Sequence, residues 1–168
     1  MLTTHLFRGI RRPITLAIGL TLGGLFLSAC GDAPVASTDS APASAEVTRV
    51  LFGQTDPSNA PGQTLYLQQI AIPGGVALPT HFHEGTQIAT IQAGVLTYHV
   101  VKNTVTVNHA DGTSEQVSAP SVVELKVGDG VVETSDMVHW AENKGTQPVQ
   151  ILLATLLTKG APLSTKVG

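Results

Sequence analysis

A chain of 168 residues with 42% hydrophobic and only 12% charged residues can bury one core but not two ordinary ones. Its formal charge of −3, carried by 9 basic and 12 acidic side chains, leaves no basic surface for nucleic acid. A single cysteine excludes any disulfide within the chain.

The first segment reads as an export leader and is set apart from the fold. Arg8, Arg11 and Arg12 form a positive start, and Ile14 to Leu27 is an uncharged, mostly apolar run. That run falls short of the roughly 20 apolar residues a comfortable membrane span needs. It ends in Leu27-Ser28-Ala29-Cys30, which resembles a bacterial lipobox, in which the cysteine is lipidated and the leader is cut just before it. The residues after Arg11-Arg12 fit a twin-arginine signal poorly, so ordinary Sec export is expected. With Gly31 rather than Asp next to Cys30, the resemblance to sorted lipoproteins implies the outer membrane if the cell is Gram-negative. Loss of the leader removes three arginines and no acid, leaving a formal charge of −6.

Gly31 to Ala45 is small, polar and free of aromatic residues, the composition of a flexible tether. The expected organisation is therefore 1–29 leader, 30–45 lipidated Cys30 and tether, and 46–168 a single domain.

From residue 46 the sequence predicts strands throughout. Candidate strands are Glu46 to Gln54, Thr64 to Ile72, Gln87 to Gln92, Val95 to Val101, Thr104 to His109, Glu115 to Ser118, Val122 to Leu125, Val131 to Thr134 and Val149 to Thr158. Turn signals such as Pro61-Gly62, Pro73-Gly74-Gly75, Asp111-Gly112 and Gly128-Asp129-Gly130 separate them. No helical period follows residue 30. Short strands with frequent turns define a sandwich or barrel.

The chemistry concentrates in Gly75-Val-Ala-Leu-Pro79-Thr-His81-Phe-His83-Glu84-Gly-Thr-Gln87 and its continuation to Gly94. In a strand, residues i and i+2 face the same way, so His81 and His83 aim into one space. Gln87 can fold back onto that space after the Glu84-Gly85 turn, and His139 supplies a third imidazole from His139-Trp-Ala-Glu-Asn143-Lys-Gly145. Pro79 suits a strand start and would set the approach of His81. Strand alternation leaves Glu84 a solvated turn carboxylate, sets Leu96, Tyr98 and Val100 on one face and Thr97, His99 and Val101 on the other, and puts Trp140 opposite the inward His139. His109 adjoins a turn and should be solvated, and His5 lies in the leader.

These segments resemble the two motifs of the cupin superfamily. Gly75 to Gly94 keeps every spacing of G-x5-H-x-H-x3,4-E-x6-G, with Gln87 where the family has Glu. Gly128 to Gly145 resembles G-x5-P-x-G-x2-H-x3-N in part: His139 and Asn143 are kept, while Thr134 and Asp136 replace Pro and Gly. The resemblance, over about residues 46 to 158, implies an all-β fold, a small antiparallel jelly-roll β-barrel, that often holds one metal and often pairs as a homodimer. It implies His81, His83, Gln87 and His139 as ligands of one divalent ion, with Fe, Zn, Mn, Ni and Cu all open. If the Gln87 amide oxygen coordinates, the ion keeps its full charge and favours a small anionic, oxygen-rich ligand; if it does not, the site has lost its acidic ligand. A metal-dependent dioxygenase, isomerase or lyase, a binding module and a barrel with a degenerate site all remain open, because the fold hosts many functions.

The leader generates the first prediction. Cys30→Ala should block lipid labelling and leave the precursor uncleaved; normal cleavage and membrane fractionation of that variant would refute the anchor.

Overall fold

The computed structural model describes residues 46–168. The predicted leader, Cys30 and the whole predicted tether lie outside the described residues. Twelve strands form, in chain order β1 (Thr48–Thr55), β2 (Gln63–Ile72), β3 (His81–Phe82), β4 (Gly85–Ala93), β5 (Leu96–Lys102) and β6 (Thr104–Asn108), then β7 (Ser114–Ser118), β8 (Ser121–Leu125), β9 (Gly130–Glu133), β10 (Val138–Glu142), β11 (Val149–Thr158) and β12 (Thr165–Lys166). No helix occurs among the described residues.

Seven strands form one sheet in the order β1-β2-β11-β4-β9-β6-β7, and five form the other in the order β12-β3-β10-β5-β8. Every pairing is antiparallel. The result is the expected cupin-like jelly roll, with the core between the sheets.

Strand β11 shows why the sequence folds this way. Val149, Ile151, Leu153, Thr155 and Leu157 are buried, and the residues between them face outward. Its whole length pairs with β2, from Val149↔Ile72 to Thr158↔Gln63, and its other edge pairs with β4. A slip of one residue would expose the entire apolar set, so the register is strongly specified. Ile72, Val105, Val107, Met137, Val149 and Leu157 are fully enclosed.

Two glycines of the first motif earn their places sterically. At Gly85 a Cβ would collide with the backbone carbonyl oxygen of Leu156, so only Gly lets β4 approach β11. Gly94 turns from β4 to β5 with φ +79°, and a Cβ there would come within 2.9 Å of Val149.

Asn143 explains the end of the second motif. Its Nδ2 donates to the carbonyls of Ile72 and Gln147, both at 2.8 Å, and its Oδ1 accepts from the Gly145 N–H at 2.9 Å. The buried amide ties the β10–β11 connection to the end of β2.

Three strands were not foreseen. β3 and β12 have two residues each, too few to show a pattern, and β10 interleaves Val, His, Trp, Ala and Glu without an apolar run. Only pairing identifies them as strands. β10 matters most, since it carries His139.

Residues 46–168 should fold alone with a strand-dominated far-UV spectrum. Ile72→Ala should lower the unfolding free energy by about 2–5 kcal/mol through the cavity it leaves, read by denaturant titration.

Candidate metal centre

Short strand β3 pairs with β10 through His81↔His139, so these two imidazoles are cross-strand neighbours. His83 follows β3 and faces the same interior space. The ring centroids lie 4.3 Å apart for His81 and His139, 5.1 Å for His81 and His83, and 5.4 Å for His83 and His139. One nitrogen from each ring falls within 4.8 Å of the other two, and all three residues are buried.

The second ring nitrogens show which atoms are available. His81 Nδ1 lies 2.7 Å from the Pro79 carbonyl and His83 Nδ1 lies 2.7 Å from the Leu163 carbonyl. A carbonyl only accepts, so each Nδ1 carries the hydrogen and each Nε2 carries the lone pair. This orientation by a backbone carbonyl is typical of metal-ligating histidines. Pro79 thus contributes its carbonyl as well as its constrained backbone. His139 Nδ1 is the one buried side-chain polar atom without a hydrogen-bond partner among the described residues. Three converging imidazoles with two lone pairs fixed inward fit a divalent ion of the imidazole-binding kind.

The structure adds a residue that the sequence reading passed over. Glu133, at the end of β9, is 2% exposed and reaches the imidazoles. Its Oε2 stands 3.3 Å from His83 Nε2, and its Oε1 stands 3.5 Å from His139 Nε2. The Tyr98 hydroxyl donates to Oε1 at 2.7 Å, and Gln87 Nε2 donates to Oε2 at 2.8 Å. Glu133, not Glu84, is therefore the carboxylate beside the imidazoles. Glu84 is an exposed residue of the turn before β4. The missed signal was alternation within Val131-Val132-Glu133, which puts the carboxylate on the buried face of Val131.

Gln87 lies where the motif places it, but its amide is turned. Its Oε1 accepts from the Thr155 hydroxyl at 3.0 Å, while its Nε2 faces both Glu133 and His83 Nε2, the latter at 3.2 Å. The direction follows from the ends of a side-chain series. Arg49, which can only donate, gives a hydrogen bond to Gln68 Oε1 at 2.6 Å. Gln68 Nε2 then faces Thr155 Oγ1 at 3.5 Å, Thr155 donates to Gln87, and Gln87 donates to a carboxylate that can only accept. The amide oxygen therefore points away from the imidazoles.

Of the other sequence assignments, His99, Trp140 and His109 fall outside this space and Tyr98 lies within it. His99 stacks on Trp140 with centroids 3.5 Å apart and planes at 8°, and its Nε2 lies 3.0 Å from Glu142 Oε1. Trp140 faces outward but is half-buried by this stack. His109 is partly exposed and bonds Glu115. Tyr98 is interior, with its ring stacked 5.1 Å from His139.

Burial dominates the electrostatics. It lowers His139 to about 4, with the neighbouring imidazoles adding to the effect and Glu133 opposing it. Burial likewise lowers His81. For Glu133, burial alone would raise the pKa, but the adjacent His139 and His83 and the Tyr98 hydroxyl outweigh it and bring the group to about 2. Burial, then Glu133, raises Tyr98 well above its ordinary value, so its hydroxyl stays a donor.

A cavity of about 110 Å³ opens on this cluster. Its walls are mainly aliphatic, including Ile70, Leu96 and Leu153, with Arg49 the only lysine or arginine among them and Glu133 the only carboxylate.

No protein-family model matches the chain, and no curated protein sequence does. Solved structures resemble the chain to different degrees. The L-ribose isomerase of Cellulomonas parahominis, solved with L-psicose, superposes with a TM-score of 0.54 at 15% identity, over 71% of this chain and 68% of that one. A DMSP lyase from Ruegeria pomeroyi DSS-3 gives 0.47 at 17% identity, over 61% of this chain and 43% of that one. A cupin superfamily protein from Desulfitobacterium hafniense gives 0.41 at 12% identity, over 67% and 78%. The chain spans less than half the length of the DMSP lyase. The likeness at these identities is one of fold, an all-β cupin-like barrel.

The lowered imidazoles set a pH dependence. Without metal, the unfolded chain takes up the His139 proton near pH 6.5, whereas the folded chain resists it to about pH 4. Stability is therefore full above 6.5 and falls as the pH drops to 4, by up to about 3 kcal/mol from this residue. Chelator-treated protein unfolded in denaturant across that range should show the loss, and His139→Asn should flatten it.

Proposed function

We propose that the protein is an exported, lipid-anchored barrel that binds one divalent metal and, at that metal, a small anionic, oxygen-rich molecule. The observation that carries the proposal is the buried trio of His81, His83 and His139, two of them held with their Nε2 lone pairs directed inward by backbone carbonyls. When bound, the ion would supply a Lewis-acidic centre for oxygen ligands.

Arg49, the only lysine or arginine lining the cavity, supports the anionic character of the ligand. Tyr98 and Gln87 both spend their donors on Glu133, so they hold the carboxylate rather than wait for a substrate proton.

That engagement favours a holder of metal and ligand as the second reading. Export and the anchor at Cys30 rest on the charged start, the apolar run and the Leu-Ser-Ala-Cys sequence. Pairing as a homodimer is proposed on the family resemblance.

Protein purified without chelator, loaded with Zn(II) and desalted should carry about one ion per chain by elemental analysis. His81→Ala with His83→Ala should carry none. Equal metal content in the two would place the site elsewhere. Because two of the three imidazoles stay neutral below the ordinary histidine range, Zn(II) should be retained to lower pH than a site of unshifted histidines allows.

A further inference from the structure

We propose that Glu133 is the acidic ligand of this metal centre, in the role the motif gives to residue 87, and that Gln87 is the group that positions it. The assignment rests on the metal-binding function proposed above and deepens it.

The register makes the exchange possible. Gln87 on β4 and Glu133 on β9 are directly paired, so they occupy one row of the inner face. A carboxylate moved from one member of the pair to the other still reaches the same space. The family motif expects an acid on β4; this chain has an amide there and the acid across the ladder.

The electron pairs decide which of the two can be a ligand. His83 has committed its ring hydrogen to the Leu163 carbonyl, so its Nε2 lone pair faces the lone pairs of Glu133 Oε2 at 3.3 Å. In the structure the Gln87 Nε2 amide lies against both, donating to Oε2 at 2.8 Å and standing 3.2 Å from His83 Nε2, and a bound cation would draw on the same two lone pairs. Gln87 presents an N–H to the same space, and an N–H cannot coordinate. Turning the amide over would aim its oxygen at the Glu133 carboxylate and its N–H groups at Thr155.

Glu133 sits beside two of the imidazoles, its Oε2 3.3 Å from His83 Nε2 and its Oε1 3.5 Å from His139 Nε2. The hydrogen bonds from Tyr98 and Gln87 to the carboxylate are the outer support that ligating carboxylates commonly have.

An ion held by three imidazoles and Glu133 would carry a net charge of +1, not the +2 expected from a Gln87 site. Gln87→Glu alone would set two carboxylates against each other across one strand pair, and the buried like charges would force one to take a proton. In the exchanged variant, Gln87→Glu with Glu133→Gln, one carboxylate returns to the pair from the opposite strand.

The test uses the residue 30–168 protein with Zn(II) in competition with a chromophoric chelator, and Co(II) absorption to report the ligand set. Glu133→Gln should weaken Zn(II) by about 100-fold or more and change the Co(II) bands, whereas Gln87→Ala should cost about 10-fold and leave them in place. The exchanged variant should recover most of the affinity lost in Glu133→Gln. In wild-type protein carrying ¹³C-labelled glutamate carboxyls, one equivalent of Zn(II) should shift the Glu133 resonance, which keeps the test independent of how the variants fold. Wild-type Zn(II) affinity and unchanged Co(II) bands in Glu133→Gln, or an unmoved Glu133 resonance in Zn(II)-loaded wild type, would overturn the assignment and leave the metal site standing. Failure of the wild type to bind Zn(II) would overturn both.

Discussion

A linked series of polar side chains crosses this barrel, and the direction of that series governs the site. Arg49 can only donate and Glu133 can only accept. Between them Gln68, Thr155 and Gln87 span β2, β11 and β4, and each passes a donor toward the carboxylate. Gln68, Thr155, Gln87 and Glu133 are buried, at 1%, 0%, 5% and 2% exposure, so none can exchange its partner for water without cost. The two ends therefore fix both amides, and the orientation of Gln87 is a property of the whole row.

The imidazoles obey a different constraint. They are held from outside the polar row, by the carbonyls of Pro79 and Leu163, and through the pairing of β3 with β10. The two sheets thus contribute different halves of one centre. The smaller sheet delivers His81 and His139, and the larger delivers Gln87 and Glu133. Aliphatic residues of both sheets close around them. Burial then keeps His81 and His139 neutral, the form a metal needs, and keeps Tyr98 protonated as a donor. Low dielectric, tautomer and ligand readiness follow from one cause, the placement of a polar cluster inside an apolar jelly roll.

The same packing accounts for the motif residues that touch no ligand. Gly85 admits the backbone of β11, Gly94 turns the chain against Val149, and Asn143 saturates the carbonyls at the closed end of the barrel. The spacing of the motif is thus partly a record of strand packing. That explains how the glycine frame can persist while the acid at position 87 is exchanged.

Much of this was legible along the chain. Two-residue periodicity and turn chemistry are local, so the all-β class, most strands and the shared face of His81 and His83 could be read from neighbours in sequence. The placing of Tyr98 and His99 on opposite faces followed from the same alternation. What pairs with what is not local. The β9–β4 register put Glu133 opposite Gln87, and no spacing within either strand contains that fact. The short strands β3 and β10 exist only through pairing, β3 between β12 and β10 and β10 between β3 and β5. The orientation of the Gln87 amide depended on Arg49 and Thr155, 38 residues before it and 68 residues after it in the chain. Sequence determined the kind of fold and the three imidazoles, because those are matters of residue type and period. Tertiary structure decided which carboxylate faces them, because a hydrogen bond between distant strands is set only when the sheet has formed.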